Sequence, residues 1–178
     1  MHAGCDMSMT KVLFLDIDGV LNSTRTCIAN RGYPLDLTPA DLAMFDPVAV
    51  GLVRGLCAAG GVSVVVTSAW RITYTWEEIG RGLELPTIDR TPNLLGCRGD
   101  EIAAWLTAHP EVTEWAIVDD DSDMLAEQLP RFVKTDGNEG LSFANFERLC
   151  AIFGINVHAC APTRIRAGNT VKLVWEDL

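Results

Sequence analysis

Residues 12–22 read Val-Leu-Phe-Leu-Asp-Ile-Asp-Gly-Val-Leu-Asn: a buried apolar run that delivers two carboxylates, Asp16 and Asp18, and then a glycine. A run of Val, Leu and Phe this short suits a central parallel strand covered on both faces, and in such sheets ligands lie beyond the carboxyl ends of the strands. Two carboxylates one residue apart repel each other, so the pair calls for a divalent cation or a metal-bound phosphate between them. Taken alone, Asp-x-Asp-Gly also suits a solvated turn with Gly19 as its left-handed residue. The rest of the chain favours the first reading. Residues 62–68, Val-Ser-Val-Val-Val-Thr-Ser, form a second β-branched run that ends in hydroxyls, and residues 115–121, Trp-Ala-Ile-Val-Asp-Asp-Asp, a third that ends in acids.

Taken in order, these motifs resemble those of the haloacid-dehalogenase (HAD) superfamily of phosphotransferases. Its members carry Asp-x-Asp after strand one, Thr or Ser after strand two, Lys or Arg before a helix, and an acidic pair after the fourth strand. The set Asp-Ile-Asp-Gly-Val-Leu-Asn, Thr-Ser-Ala-Trp-Arg, Arg-Gly-Asp-Glu-Ile and Val-Asp-Asp-Asp is similar to the compact HAD domains of RNA-repair proteins. The resemblance implies a three-layer, Rossmann-like α/β fold with a central parallel sheet and helices on both faces. It also implies a phosphatase that works through an aspartyl-phosphate, with Asp16 as nucleophile and Asp18 as acid and then base. Thr67, or failing it Ser68, would bond a phosphoryl oxygen. Arg98, where lysine is commoner, would fix nucleophile and phosphate.

Magnesium prefers oxygen ligands and keeps several waters, so two or three carboxylates and a carbonyl suffice. Asp16, the Asp18 carbonyl and Asp119 fit that need. Asp120 and Asp123 compete with Asp119 as the paired and the spaced versions of the last motif. Arg71 is a candidate for contact with substrate phosphate or a base, and Asn22 and Arg25 are candidates from the segment that follows strand one.

That segment, residues 23–37, has no clear periodicity and reads as an irregular flap over the site. Thr38-Pro39-Ala40-Asp41 and Asp46-Pro47 are helix starts. The second of these leads a helix with Val48, Leu52, Val53 and Leu56 on one face, closed by Gly60-Gly61. Trp76, Ile79 and Leu83 share a face in a short helix, and residues 86–96 read as loop. Residues 99–108 form a helix with Ile102, Trp105 and Leu106 inward. Residues 122–129 follow as a short helix and 131–134 as a strand. Ser142 caps a helix with Phe143, Phe146, Leu149 and Phe153 on one side, and residues 171–175 are expected as a last strand. Neither insertion point of the superfamily has room for a large cap, so the site is expected to be capless and open, covered only by the flap or by a second copy of the chain.

At 178 residues the chain suits one domain over residues 11–178, preceded by a loose ten-residue leader without an export signal. With 24 acidic against 14 basic residues, its net charge of −10 disfavours nonspecific adhesion to nucleic acid or anionic membrane. No apolar stretch approaches the roughly 18 residues of a membrane span. Six scattered cysteines without Cys-x-x-Cys spacing suit reduced thiols and a cytoplasmic setting. Cys57 and Cys150 fall on apolar helical faces, and His158 with Cys160 lacks two further ligands for zinc.

These readings converge on a magnesium-dependent phosphomonoesterase. The resemblance implies the substrate class: a nucleotide, such as a nucleoside monophosphate, or the terminal phosphate of a nucleic acid. Two alternatives remain: a metal-dependent sugar transferase, which also places Asp-x-Asp after an apolar strand, and a catalytically silent HAD fold used for binding.

Overall fold

The computed structural model describes residues 11–161, together with the backbone of two strands at 163–167 and 170–174. The ten-residue leader and Trp175, expected to end the last strand, lie outside the described residues.

Five strands form one all-parallel sheet: β1 (Lys11–Leu15), β2 (Val62–Val66), β3 (Thr87–Arg90), β4 (Glu114–Asp119) and β5 (Phe132–Lys134), in the order β3-β2-β1-β4-β5. The apolar run around Leu13 is therefore the central strand, as its composition requires. Alternate residues divide the core between two faces. Leu13, Leu15, Val64, Val66, Ala116 and Val118 pack on α3 (Pro47–Gly60), α4 (Trp76–Leu83) and α6 (Phe143–Phe153). Val12, Phe14, Val65 and Ile117 pack on Ile102 and Trp105 of α5 (Arg98–Ala108), with Phe14 edge-on to the Trp105 ring at 5.3 Å. Strands 163–167 and 170–174 pair as a separate antiparallel hairpin.

Five local expectations are corrected. The flap contains a helix, α1 (Thr24–Asn30), started by a Ser23–Thr26 capping box and closed by left-handed Arg31; only residues 31–37 remain irregular before the short α2 (Pro39–Leu42). Residues 86–96 contain β3, whose polar Thr-Ile-Asp-Arg sequence suits an edge strand covered on one side. Residues 122–129 are irregular up to Leu125, and a 3-10 turn follows over Ala126–Arg131 with Pro130 inside it. On α3, Val48 faces solvent at 66% exposure and the buried stripe is Ala49, Val50, Val53, Leu56 and Cys57. Phe143, at the first position of α6, is likewise 55% exposed.

The parallel ladder carries the site. Asp16 N–H donates to the Val118 carbonyl at 3.1 Å, and Thr67 N–H to the Leu15 carbonyl at 3.0 Å. The sheet thus continues one residue past each strand and sets Asp16, Thr67 and Asp119 side by side at its carboxyl edge. Between β1 and β2 the chain spends its length on α1–α3 and the flap, and between β2 and α5 on α4 and β3. Among the described residues no cap-sized unit is inserted at either place.

Candidate active site

Asp16 is only 6% exposed and Asp119 is fully buried. Asp16, Asp119 and Asp120 bring one carboxylate oxygen each within 4.8 Å of one another. Arg98, on the first turn of α5, reaches into this group. Its Nη1 lies 3.0 Å from Asp16 Oδ1 and 3.2 Å from Asp119 Oδ2, and donates to the Thr67 carbonyl at 2.8 Å and the Thr67 hydroxyl at 3.2 Å. One guanidinium therefore ties together the ends of β1, β2 and β4. It offsets one of three negative charges and leaves two, a deficit matched by a divalent cation.

The electrostatics agree with the geometry. Burial raises the Asp16 carboxyl above its ordinary value, with Arg98 and the Ser68 hydroxyl pulling it back. Burial, and then the charge of Asp16, push Asp119 up to about 7. Asp120 is raised in the same direction, first by burial. Asp119 Oδ1 accepts from Asp121 N–H at 2.9 Å, whereas buried Oδ2 receives no hydrogen bond. Oδ2 is held only by the ion pair with Arg98 at 3.2 Å. The three carboxylate oxygens that lie within 4.8 Å of one another form an all-oxygen donor set, which fits a hard cation such as Mg²⁺.

Asp18 stands apart from the triad. Exposed at the pocket edge, it accepts from Trp70 Nε1–H at 2.9 Å through Oδ2 and from Asn22 Nδ2 at 2.8 Å through Oδ1. Gly19 sits at φ +74°, and a Cβ there would overlap the Asp120 carboxylate. Its glycine is thus required both by the left-handed turn and by the close approach of Asp120.

A pocket of about 540 Å³ opens over this floor, lined by Asp16, Asp18, Asn22, Ser68, Arg98 and Asp120 at its base. Tyr33, Pro34 and Leu35 of the flap and Trp70 form its walls. Ser68, not Thr67, lines the pocket and bonds Asp16; fully buried Thr67 faces Arg98. Asp123 is not brought into the triad. Its carboxylate accepts from Arg98 N–H at 2.8 Å and so caps α5. Arg71 does not face the pocket either: it is 5% exposed and held by Glu101. Asn22 lines the pocket but is bonded to Asp18, and Arg25 pairs with Asp46 and Glu139.

Three contributors went unread in the sequence. Trp70 follows the second strand by four residues and carries no role in the sequence reading. Tyr33 and Leu35, exposed by 60% and 80%, sit in a stretch without periodicity. The only available signal was an aromatic directly after Thr-Ser-Ala.

Residues 12–146 match the family model described as the HAD domain in Swiss Army Knife RNA repair proteins. The chain belongs to that family. No curated protein and no solved structure matches it. Membership of this HAD family supports a phosphatase-like function, and the triad, Ser68 and Arg98 all lie within the matched residues. Among the described residues of this HAD domain, no helix is long and apolar enough to cross a membrane.

Proposed function

We propose that this HAD domain is a magnesium-dependent phosphomonoesterase whose Asp16 is transiently phosphorylated. The observation that carries the reading is the double engagement of Asp16, which belongs to the acidic triad and is anchored through Oδ1 by Arg98 on the floor of the pocket.

Asp16, Asp119 and Asp120 would hold the magnesium ion, which when bound neutralises charge on the phosphoryl oxygens. Arg98 fixes the Asp16 carboxylate, and the Ser68 hydroxyl offers a hydrogen bond to a phosphoryl oxygen. An Asp16 oxygen attacks phosphorus as the ester P–O bond breaks, and Asp18 gives its proton to the departing alkoxide. A water then gives its proton to Asp18 and attacks the same phosphorus. The Asp16–phosphorus bond breaks, phosphate leaves, and both carboxyl groups return to their starting forms.

The leaving group meets Tyr33, Pro34, Leu35 and Trp70, an apolar and aromatic wall, with Arg98 the only cation lining the pocket among the described residues. Such a site suits a planar, neutral group carrying one phosphate, which favours a nucleoside monophosphate over the end of a polyanion. A sugar transferase would use the acidic pair but leave Ser68 and Arg98 without a role. A silent binding fold would leave Asp16 and Asp18 without one.

The test is a panel of nucleoside monophosphates, sugar phosphates, aryl phosphates and phosphorylated oligonucleotides, with released phosphate as readout. Turnover in magnesium that stops with a chelator supports the reading. No release from any ester, with magnesium shown to bind, would replace it by the binding role.

A further inference from the structure

Trp70 makes a contact that the reaction above does not explain. Its indole N–H donates to an acid 52 positions earlier in the chain, Asp18, at 2.9 Å. The residue sits on the 3-10 turn Ala69–Ile72, where its own backbone N–H donates to the Ser68 hydroxyl. Its ring packs on Phe45 and on Tyr74, each at 5.7 Å between centroids. The Tyr74 hydroxyl in turn donates to Asp36 Oδ1 in the flap at 2.8 Å. Packing thus holds the indole from two sides and aims its single polar atom at Asp18.

An indole N–H only donates. A carboxyl oxygen that continues to accept from it cannot present its own proton in that direction. The indole thus fixes Asp18 Oδ2, and the Asn22 amide fixes Oδ1, so two donors set the plane of the carboxyl group. Oδ1 faces Asn22, whose amide is oriented as well: Asn22 Oδ1 accepts from Gly19 N–H at 3.2 Å, so Nδ2 points at Asp18. From this geometry we infer that Trp70 is the positioning residue for Asp18, holding its carboxyl group at the pocket edge in the orientation in which it serves the leaving oxygen and the attacking water. The inference rests on the phosphatase reading given above.

A purely structural role predicts something different. The Trp70–Asp18 bond lies in an exposed setting, where one hydrogen bond adds little net stability. If it served stability alone, removing the donor while keeping the ring would leave turnover unchanged for every substrate.

Trp70→Phe removes the donor and keeps an aromatic ring. Replacement of Trp70 by benzothienylalanine removes only the N–H and covers the case in which the phenyl ring packs poorly. Each is compared with the parent protein by kcat/KM on an alkyl or nucleoside phosphate, whose alkoxide needs a proton, and on p-nitrophenyl phosphate, whose leaving group does not. Because Trp70 also lines the pocket, the readout is the difference between the classes: the loss is expected to be about tenfold or more larger on the first class than on the second. In an Asp18→Asn background the same replacements are expected to add nothing. An equal fold-change in kcat/KM on both classes, or an undiminished further loss in the Asp18→Asn background, overturns the inference and leaves the phosphatase reading standing. Absence of phosphate release by the parent protein overturns the reading and the inference with it.

Discussion

Arg71 Nη2 lies 2.6 Å from Glu101 Oε2, with both side chains only 6% exposed. The pair joins the turn after β2 to α5, the two segments that supply Ser68 and Arg98. Arg71 also donates to the carbonyls of Thr67 and Ser68, and the second Glu101 oxygen accepts from Leu94 N–H at 3.0 Å. Breaking such a pair leaves a charge buried without its partner, which costs about 3–5 kcal/mol. Glu101→Ala is expected to lose stability on that scale in denaturant unfolding. Arg71→Met with Glu101→Leu together is expected to lose much less than the sum of the single changes. A role for Arg71 in holding substrate predicts instead a raised KM in Arg71→Met with stability retained.

The raised carboxyl of Asp119 makes the metal-free protein sensitive to pH. Its ordinary value is 3.8 and its folded value is about 7, so between these the folded state holds a proton that the unfolded state has lost. The stability this contributes is complete below about pH 4 and is lost as pH rises through about 7. In chelator, the midpoint of thermal unfolding is expected to fall between pH 5 and pH 8, and Asp119→Asn is expected to flatten that fall. Added magnesium needs the ionised ligands and is expected to restore the midpoint chiefly at the higher pH. A metal-free stability that rises over this range in the parent protein and falls in Asp119→Asn would contradict the account.

Charge separates small from polymeric substrates. Arg71 is committed to Glu101, and Arg25 to Asp46 and Glu139, on a chain of net charge −10. Among the described residues, few cations remain near the pocket for phosphates beyond the one cleaved. On single strands each neutralised phosphate adds about 0.7 to the slope of log affinity against log salt. Specificity constants for nucleoside monophosphates and for phosphorylated oligonucleotides, measured at low and moderate salt, are expected to favour the former with a shallow slope. A steep slope with oligonucleotide preference would mean that the polymer is the substrate.

The central strand and its acids were legible because a short, wholly apolar run that ends in Asp-x-Asp has few other uses. The helices α3, α5 and α6 were legible through their periodicity and their caps. Strand β3 was not, since Thr87, Asp89 and Arg90 carry the polar groups that an edge strand tolerates and a central strand does not. Helix α1 is two turns long, with Ile28 at 73% exposure, so it has no apolar face to read. At the site, Arg71 looked like a loop cation because its partner, Glu101, lies thirty positions later in the chain. The exchange of Thr67 for Ser68 at the pocket wall has a similar origin. Adjacent residues at a strand end point to opposite sides, and only the position of Arg98 shows which side is the pocket.

The most direct test of Asp16 as the phosphorylated nucleophile is a single comparison. Parent protein and Asp16→Asn are incubated with an aryl phosphate in magnesium, quenched in acid, and the peptide containing Asp16 is weighed by mass spectrometry alongside the rate of phosphate release. The account predicts a phosphoryl group on Asp16 in the parent. It predicts loss of both adduct and turnover, by about 10³-fold or more, in a variant that still folds. Turnover retained within tenfold in Asp16→Asn, with no adduct in either protein, would contradict it and assign the attack to water directly.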